Sequence, residues 1–399
     1  MQPLSAWLRR ADPRTPALIL PDRRLGYGEA RALAARPGLA LPEGGADAIA
    51  LSFLAAGLGG GTIFPLPPGL APGRRAQMIA QARALASKPP TLIISTSGSE
   101  GAPRGVRLSW RAVAAAARMS GAAVGLAPGD VWLDCLPLHH IGGAMIPYRC
   151  WRAGATALIH DGFDPENVLR DLADRRVTHV SLVPPMLSRL LEAGVLPPLT
   201  LRCALVGGAA LSNSLSERAT RLHWPVSTTY GMTETCAMAT LDGRPLPGVR
   251  VRANDGGALE IATPARMEGY LGGPDVGEWI ETGDMGAVDA DGRVHVTGRA
   301  DDMLVSAGVN VHPAEVESRL SACPGVREAC VGGLADLVWG DVIAAAWEGE
   351  ADESDVETWC RQQMPDACRP RRFLRMGCLP RTAGGKPDRR ALASLMGKP

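Results

Sequence analysis

The strongest sequence constraint on the fold of this chain is a glycine-rich polar segment that follows a short apolar stretch. Residues 91–108 read TLIISTSGSEGAPRGVRL, in which residues 92–94 have the length and β-branching of a buried strand. The glycines allow tight turns, the hydroxyls and backbone amides are donors, and Arg104 adds a positive charge. Such a loop is suited to wrap around phosphate oxygens. It is not a Walker loop, because no Gly-Lys-Ser/Thr follows, and taken alone it is equally well explained as a flexible Ser/Gly turn.

The composition excludes several classes of protein. The 399 residues carry 42 basic and 41 acidic side chains, a formal net charge of +1, so bulk charge does not favour nucleic acid as a partner. Nine cysteines without a CxxC pair indicate reduced thiols in the cytoplasm rather than disulfides or a zinc site. Arg9, Arg10 and Asp12 stand where a signal peptide needs apolar residues, and glycines and prolines interrupt the uncharged run 48–73. We therefore expect no signal peptide and no membrane span.

Helices and strands are predicted to alternate through the middle of the chain. The predicted elements are a helix at 110–119, a strand at 131–138, a helix at 166–175, a strand at 177–183, a helix at 185–193 and a strand at 201–206. This alternation indicates right-handed crossovers and a mostly parallel sheet in an α/β fold. Ligands bind at the carboxyl ends of such strands. The segments 139–143, 207–209 and 229–235 follow predicted strands, so we expect them to converge on one crevice.

Five segments, in order along the chain, resemble the motifs of the acyl-adenylate-forming superfamily. They are residues 96–105 (TSGSEGAPRG), 230–235 (YGMTET), 282–284 (TGD), 298–302 (GRADD) and 384–387 (GGKP). One such motif would be weak support, but five in the right order cover nearly the whole chain. The resemblance implies a large adenylate-forming domain, residues 1–299, with mostly parallel sheets flanked by helices. It also implies a small mobile α+β domain, residues 300–399.

The start of the chain departs from this resemblance. The phosphate loop begins near residue 95, whereas the superfamily usually carries considerably more chain before it. The first subdomain therefore looks shortened, with losses around 36–47 and 74–90. Because a reduced sheet buries less surface, we expect lower stability or a homodimer interface that covers the gap.

The resemblance assigns nucleotide contacts to individual residues. Those placed around ATP are Thr96, Ser97, Gly98, Ser99, Gly101, Arg104, Gly207, Gly208, Ala209, Thr229, Tyr230, Gly231, Thr233, Asp284 and Arg299. Within this group Tyr230 would stack on the base, Thr233 would donate to a phosphate oxygen, and Asp284 would accept both ribose hydroxyls. Glu234 would bind Mg²⁺ through a hard oxygen. Each residue taken alone is more often part of a turn or a solvated charge.

The remaining assignments concern the reaction and the domain movement. Lys386 would bridge the substrate carboxylate and the α-phosphate, and a preorganised donor of this kind typically contributes ~3 kcal/mol or more. Asp301 is the expected hinge, and Gly308 belongs to the loop expected to line the pantetheine tunnel of coenzyme A. His140 would lie beside the acyl pocket. On an extended chain His139 and His140 should point in opposite directions, which disfavours a shared metal ion.

Two residues of the phosphate loop differ from the superfamily pattern. Arg104 stands where lysine is usual; the charge is kept, but a planar fork replaces a point charge. Glu100 replaces the usual Ser or Thr, and a carboxylate that faced a triphosphate would repel it unless it pointed outward or bound Mg²⁺.

The predicted function is ATP-dependent ligation of a small carboxylic acid to the thiol of coenzyme A, with Mg²⁺ as cofactor. Residues 137–143 and 306–313 look most like the o-succinylbenzoate–CoA ligases of menaquinone biosynthesis. Three alternatives stay open. The chain could be another aryl- or fatty-acyl-CoA ligase, a stand-alone adenylation domain that loads a carrier protein, or a non-catalytic paralogue that acts as a binding protein.

Overall fold

The computed structural model describes residues 4–33, 38–85, 89, 91–96, 103–306, 308–336, 340–381 and 387–397. The strands, numbered in chain order, are β1 Pro16–Ile19, β2 Arg24–Gly26, β3 Leu39–Ala40, β4 Thr62–Ile63, β5 Thr91–Thr96, β6 Arg104–Ser109, β7 Val131–Asp134, β8 Thr156–Ile159, β9 His179–Leu182, β10 Cys203–Val206, β11 Val226–Met232, β12 Ala237–Leu241, β13 Arg244–Pro245, β14 Arg250–Ala253, β15 Ala258–Ala262, β16 Gly269–Tyr270, β17 Trp279–Val288, β18 Val294–Arg299, β19 Leu304–Ser306, β20 Val309–Val311, β21 Val326–Asp336, β22 Gly340–Gly349 and β23 Arg372–Arg375.

The helices, numbered in the same way, pack on the sheets that these strands form. They are α1 Leu4–Leu8, α2 Tyr27–Ala32, α3 Ala46–Gly59, α4 Pro72–Arg83, α5 Trp110–Ala123, α6 Ile141–Ala153, α7 Pro165–Asp174, α8 Pro184–Glu192, α9 Asn213–Arg221, α10 Pro313–Leu320, α11 Glu353–Gln363 and α12 Arg389–Met396, with 3₁₀ turns at Thr233–Thr235 and Asp366–Cys368. Within the described residues, no helix combines the length and the apolar character needed to cross a bilayer.

The largest sheet has nine strands in the order β13-β12-β11-β10-β9-β7-β8-β1-β2. Its six central strands, from β11 to β1, run parallel, and β2, β12 and β13 add antiparallel edges. Helices α6 to α9 connect the parallel strands. Polar side chains start two of them, because Asp164 accepts from the Asn167 amide (2.8 Å) and Ser212 from the Leu215 amide (3.3 Å). The predicted α/β architecture is confirmed.

Two smaller sheets complete the large domain. The order β16-β6-β5-β4-β3 forms the second sheet, in which β3, β4 and β5 run parallel and β6 returns antiparallel beside β5. The third sheet, β14-β15-β17-β18, is antiparallel throughout. The prediction of mostly parallel sheets therefore holds for the largest sheet only. Short connections such as the turn at Asp291 and Gly292 can join only antiparallel strands.

A continuous apolar core supports the strand ends at which the candidate site lies. Five large aromatic side chains in it are at most 1% exposed: Tyr27, Phe53, Trp132, Tyr148 and Trp151. Each buried side chain of this kind removes a large apolar area from water and contributes about 2–3 kcal/mol. The sheet edge above this core is consequently held in place.

The residues after β18 form a separate sheet with its own core. Strands β20-β19-β22-β21 make up this sheet, and β23 pairs with β22. Its core surrounds Trp347, which is fully buried, and α10 and α11 cover it. On the other side α12 contributes Arg389, which contacts Glu317 (2.7 Å) and Asp302 (3.2 Å). This is the small α+β unit that the sequence predicted.

Two predicted elements have different bounds in the structure. Strand β7 ends at Asp134 rather than at residue 138, because the Leu136 amide donates to the Asp134 carboxylate (3.1 Å) in a turn and Pro137 has no N–H to continue the ladder. The predicted loop 229–235 is also partly wrong, since residues 229–232 belong to β11. Only the residues from Thr233 onward leave that strand.

Candidate functional site

The carboxyl ends of the central parallel strands lie at one edge of the largest sheet. Asp134 of β7 is level with Ser181 of β9, and Val206 of β10 is level with both Leu182 and Thr228. The segments 139–143 and 207–209 leave the sheet at this edge, and residues 229–232 extend past it. The three segments therefore lie at one edge of the sheet, and their convergence on one crevice stays a prediction.

Glycines let two of these segments come close together. A Cβ at Gly207 would lie 2.6 Å from the Thr229 methyl group, and one at Gly231 would overlap the carbonyl of Ala237. Neither glycine has a left-handed φ, so the need for glycine is steric. Gly208 differs, with φ of +81°, and is exposed together with Ala209. Gly207 and Gly231 therefore pack closely against Thr229 and Ala237, and Gly208 and Ala209 face solvent.

A strained turn between β11 and β12 places Glu234. The 3₁₀ turn Thr233–Thr235 ends at Cys236 and Ala237, which have φ of +55° and +78° although neither is glycine. Left-handed backbone at such residues costs free energy and is found most often at functional sites. Glu234 is only 5% exposed, and its carbonyl accepts from the Met267 amide (2.7 Å). Its carboxylate is thereby held at the crevice beside Thr233, which is half-buried.

Asp284 is bound from two sides by predicted site residues. The Tyr230 hydroxyl donates to one carboxylate oxygen (2.7 Å), and the Arg299 guanidinium lies 3.3 Å from the other. Burial and the Asp284 charge raise the pKa of Tyr230, so the phenol remains a donor. Gly283, with φ of +70°, leaves space for the Arg299 guanidinium, which a Cβ there would approach to 2.8 Å. Three residues from separate motifs thus meet around one carboxylate.

Arg299 also contacts the expected hinge. It donates to the Thr282 carbonyl (2.8 Å) and to the Asp301 carboxylate (3.0 Å). Partial burial lowers the pKa of Arg299, but the Asp301 hydrogen bond and the Asp284 charge outweigh it and raise the pKa overall. Arg299 is therefore a permanent cation between the candidate nucleotide residues and the start of the small domain.

Tyr270 is a site residue that the sequence interpretation missed. Its hydroxyl donates to Glu234 (2.9 Å) and accepts from Arg104 (3.2 Å), and the Arg104 guanidinium lies 4.0 Å from the centre of its ring. Burial and the Glu234 charge raise the pKa of Tyr270 to about 12. The only local signal was an aromatic residue before Gly272 and Gly273, which by itself predicts no more than a turn.

The two adjacent histidines do not point apart as predicted. Their ring centres are 4.5 Å apart, because His139 lies in a turn and not on an extended strand. His140 is the residue before α6, and both rings are half-buried. Burial, together with His140, lowers the pKa of His139 to about 4. In the part of the chain that the structure describes, no group of three or more His, Cys, Asp or Glu side chains is placed to hold a metal ion.

Several predicted site residues lie outside the described residues: Ser97, Gly98, Ser99, Glu100, Gly101 and Lys386. Thr96 and Arg104, which bracket the phosphate-loop segment, are paired across β5 and β6. Pro387 follows Lys386 and pairs with Arg381 in a β-bridge. Gly308, with φ of +77°, is exposed between β19 and β20.

The residues present fit a magnesium ion that shares its ligands with phosphates. Mg²⁺ usually takes one or two carboxylates, substrate phosphate oxygens and water rather than a complete protein cage. Glu234 supplies one buried carboxylate beside the strands that bracket the phosphate-loop segment. A single carboxylate with no cage around it matches this donor set.

Two family models match the chain. The model described as AMP-binding enzyme matches residues 80–271, and the model described as AMP-binding enzyme C-terminal domain matches residues 315–386. The first match includes Arg104, Glu234 and Tyr270, and the second lies within the separate small sheet and its helices.

Two curated relatives illustrate the similarity in sequence. The 2-succinylbenzoate–CoA ligase of Bacillus licheniformis is 35% identical over an alignment of 329 residues that covers 75% of this chain and 69% of the relative. The enzyme of the same name from Lactococcus lactis is 30% identical over an alignment of 318 residues that covers 75% of this chain and 70% of the relative.

Solved structures share the whole fold. The o-succinylbenzoate CoA synthetase of Bacillus subtilis, in complex with its acyl-adenylate intermediate, has a TM-score of 0.85 and 25% identity over 98% of both chains. The same synthetase was solved with ATP and a magnesium ion, also with a TM-score of 0.85 and 25% identity, over 98% of this chain and 99% of that one. The amide bond synthetase McbA from Marinactinospora thermotolerans has a TM-score of 0.85 at 23% identity, over 98% of this chain and 100% of that one, a likeness of fold alone.

Proposed function

The chain belongs to the AMP-binding enzyme family, and we propose that it joins 2-succinylbenzoate (o-succinylbenzoate) to coenzyme A at the expense of ATP. The observation that carries this proposal is the way three charged groups are held: Glu234 and Arg104 share a hydrogen-bond partner, and Asp284 is held by Tyr230 and Arg299. Asp284 can accept ribose hydroxyls, Glu234 is a buried hard-oxygen ligand, and Arg104 is a cation at the end of the phosphate-loop segment. The curated relatives of the same name support the choice of substrate.

The first half-reaction forms a bond between a carboxylate oxygen of the acid and the α-phosphorus of ATP. The bond between the α-phosphorus and the bridging oxygen breaks, and pyrophosphate leaves with that electron pair. Asp284, held by Tyr230 and Arg299, would orient the ribose so that the α-phosphate faces the acid. Lys386 would offset negative charge as the oxygen attacks. Bound Mg²⁺ would supply Lewis-acid stabilisation of the phosphate oxygens, held through Glu234.

The second half-reaction transfers the acyl group to sulfur. The thiolate of coenzyme A attacks the carbonyl carbon of the acyl-adenylate, and the bond from that carbon to the phosphate oxygen breaks, so AMP leaves. Gly308 would line the path of the pantetheine chain, since its exposed left-handed backbone places no side chain there. His140 would lie beside the acyl group.

We also propose that residues 1–299 and 300–399 are two domains, and that rotation of the second domain switches the site from the first half-reaction to the second. Separate sheets, separate cores and separate family matches support the division. Asp301 would be the hinge, and its ion pair with Arg299 (3.0 Å) would then break or form as the small domain rotates.

Two properties of the assembly belong to the same proposal. We propose a cytoplasmic enzyme, because every cysteine is a free thiol and most are buried. We further propose a homodimer that covers the shortened first subdomain. Light scattering tests this, since a dimer has twice the mass of the 41.8 kDa chain and a monomer contradicts it.

Pyrophosphate exchange into ATP tests the proposed reaction. The protein is offered a panel of carboxylic acids that includes 2-succinylbenzoate, with the Lys386→Ala variant as control. Exchange that depends on 2-succinylbenzoate and is lost in the variant supports the proposal, and added coenzyme A should then yield the thioester. Exchange with another acid alone overturns the substrate, and thioester formed only on a carrier protein overturns the acceptor. Absence of ATP binding would favour a non-catalytic paralogue.

A further inference from the structure

Tyr270 lies between two charged groups that the proposed reaction uses separately. Its hydroxyl donates to the Glu234 carboxylate (2.9 Å), and the same oxygen accepts from Arg104 (3.2 Å). The order of donors is therefore fixed: arginine to phenol, and phenol to carboxylate. Hydrogen bonds in such a chain polarise one another, so the Arg104 charge makes the phenol a stronger donor to Glu234.

The backbone that carries Tyr270 is itself held firmly. Strand β16 pairs with β6, which places Tyr270 opposite Val106. Arg107 of β6 is 2% exposed, donates to the Tyr270 carbonyl (3.2 Å) and pairs with Asp275 (2.7 Å). A hydroxyl on a fixed backbone can impose an orientation on a neighbouring carboxylate, whereas a surface tyrosine could not.

The charges explain why a phenol is needed at this place. Arg104 is an exposed guanidinium and Glu234 a buried carboxylate, and opposite charges on neighbouring side chains attract each other. If they paired directly, the guanidinium would be withdrawn from phosphate and the carboxylate from metal. The ring of Tyr270 takes up the flat face of Arg104 at 4.0 Å, and its hydroxyl satisfies one oxygen of Glu234. Among the described residues, no hydrogen bond to the second oxygen of Glu234 is found, so that oxygen can bind another ligand.

We propose that Tyr270 is a positioning residue that holds Glu234 for Mg²⁺ and Arg104 for phosphate while keeping the two charges apart. The inference rests on the proposed function, because it concerns the metal and phosphate groups of the same site. It also accounts for arginine at position 104, since a planar guanidinium stacks on a ring and a lysine ammonium does not stack in this way.

Binding of ATP in the absence of any acid tests this role without turnover. The dissociation constant of ATP is measured by calorimetry with EDTA and with excess Mg²⁺, for the wild type and for Tyr270→Phe. The variant keeps the ring under Arg104, so binding without metal should stay within about twofold. Loss of the hydroxyl should weaken binding with Mg²⁺ about tenfold, as for other residues that orient a metal ligand.

Two further variants make the result specific. Tyr148→Phe removes a buried hydroxyl, whose bond to the Phe53 carbonyl is 3.3 Å, and should change neither constant. Glu234→Gln should reduce the gain in ATP affinity on addition of Mg²⁺ at least as much as Tyr270→Phe does. The double variant should lose no more of this gain than Glu234→Gln alone, because both substitutions act through one carboxylate. The inference is overturned if Mg²⁺ raises the ATP affinity of Tyr270→Phe as much as that of the wild type. It is also overturned if the reductions caused by the two single substitutions add up in the double variant.

The outcome can be separated from that of the proposed function. A wild type that binds Mg²⁺ and ATP as expected but exchanges pyrophosphate with none of the acids overturns the proposed reaction and leaves the role of Tyr270 supported. A wild type that binds no ATP under either condition overturns both.

Discussion

At the scale of single residues, the site depends on carboxylates that neighbouring groups orient. Asp284 accepts from Tyr230 at 2.7 Å and lies 3.3 Å from Arg299, and Glu234 accepts from Tyr270 at 2.9 Å. Each carboxylate is thereby held in one orientation by its neighbours. Charge-assisted hydrogen bonds of this kind contribute about 1.5–3 kcal/mol each, so removal of one charge should have a measurable effect.

Replacement of Asp284 should weaken ATP use specifically. Asp284→Asn keeps the shape of the side chain but removes the charge that would accept two ribose hydroxyls, so we expect the KM for ATP to rise about tenfold or more. Exchange rates measured against ATP concentration check this. Asp289→Asn, at an exposed carboxylate near the end of the same β17–β18 hairpin, is the matched control and should leave the KM unchanged. An equal effect in both variants would contradict the role of Asp284.

Glu100 lies outside the described residues, and its effect stays a prediction from the sequence. A carboxylate that faces the triphosphate repels it, so Glu100→Thr should lower the KM for ATP. The same exchange assay measures the change, with Glu100→Gln as the isosteric comparison. An unchanged or higher KM would mean that Glu100 points away from the phosphates.

His139 should make stability depend on pH. Its pKa falls from the ordinary 6.5 to about 4, first because of burial and then because of His140. Between these two values the unfolded chain binds the proton and the folded chain does not. Stability is therefore intact above about pH 6.5 and falls as the pH drops toward 4. His139→Asn should reduce the loss of thermal midpoint between about pH 7.5 and about pH 5, and a variant that loses as much as the wild type would contradict this.

At the scale of elements, the β11–β12 hairpin shapes the crevice through backbone contact. Residues 229–232 pair with β12, a bulge falls between Tyr230 and Gly231, and the tight turn at Cys236 follows. The bulge and the turn bring the backbone of Gly231 against Ala237. A side chain therefore has no space at this point.

Gly231→Ala should destabilise the hairpin. The added methyl group would overlap the Ala237 carbonyl, so the two strands must move apart, and we expect the free energy of unfolding to fall by about 3 kcal/mol. Denaturant titration measures this change. Gly277→Ala is the matched control, because an added Cβ meets nothing within 4 Å there, and its stability should match the wild type. Equal free energies of unfolding for the two variants would contradict this prediction, because they would mean that the hairpin accommodates the added methyl group without cost.

At the scale of the whole molecule, an arginine ties the last helix to the start of the small domain. Arg389 contacts Glu317 (2.7 Å) and Asp302 (3.2 Å), and Glu317 also accepts from the Val331 amide (2.8 Å). Burial raises the pKa of Glu317 despite the nearby Arg389 charge, which shows how much desolvation this carboxylate has undergone. Arg389 is the first residue of α12, so the contact fixes the start of that helix.

Arg389→Met should destabilise the small domain. The substitution leaves Glu317 buried without its cation, and loss of one partner from such a pair typically costs about 3 kcal/mol. Hydrogen exchange of the β21 and β22 amides at increasing denaturant concentration follows the small domain separately from the rest of the chain. Arg361→Met breaks only an exposed pair with Glu357 and should cost less than about 0.5 kcal/mol. A similar decrease in the free energy of unfolding in both variants would contradict the stabilising role of the buried Arg389–Glu317 pair.

The local elements and the overall class could be predicted without the structure. The apolar residues 92–94 and the alternation between 110 and 206 predict elements from residues close together in the chain, and the structure contains these elements. Superfamily membership followed from five motifs in order, and the family comparison confirms it. The roles of individual site residues stay predictions.

The failures have physical causes that are tertiary. His139 and His140 were placed on an extended strand, but the turn that brings their rings together depends on Asp134 and Pro137 packing at the end of β7. Residues 229–232 were placed in a loop, but strand β12 pairs with them. In both cases contacts with surrounding strands set the local backbone conformation, which the β propensity of the residues alone did not specify.

The sequence alone determined the family of this protein and which charged groups are the candidates for its site. Glu234, Asp284 and Arg299 were identified from their motifs, because those motifs are short and contiguous. Only the tertiary structure decided how the groups are held. Tyr270 is 36 residues from Glu234 and 166 from Arg104, and Tyr230 is 54 residues from Asp284. Contacts across such separations arise from the packing of distant strands, and no local pattern encodes them.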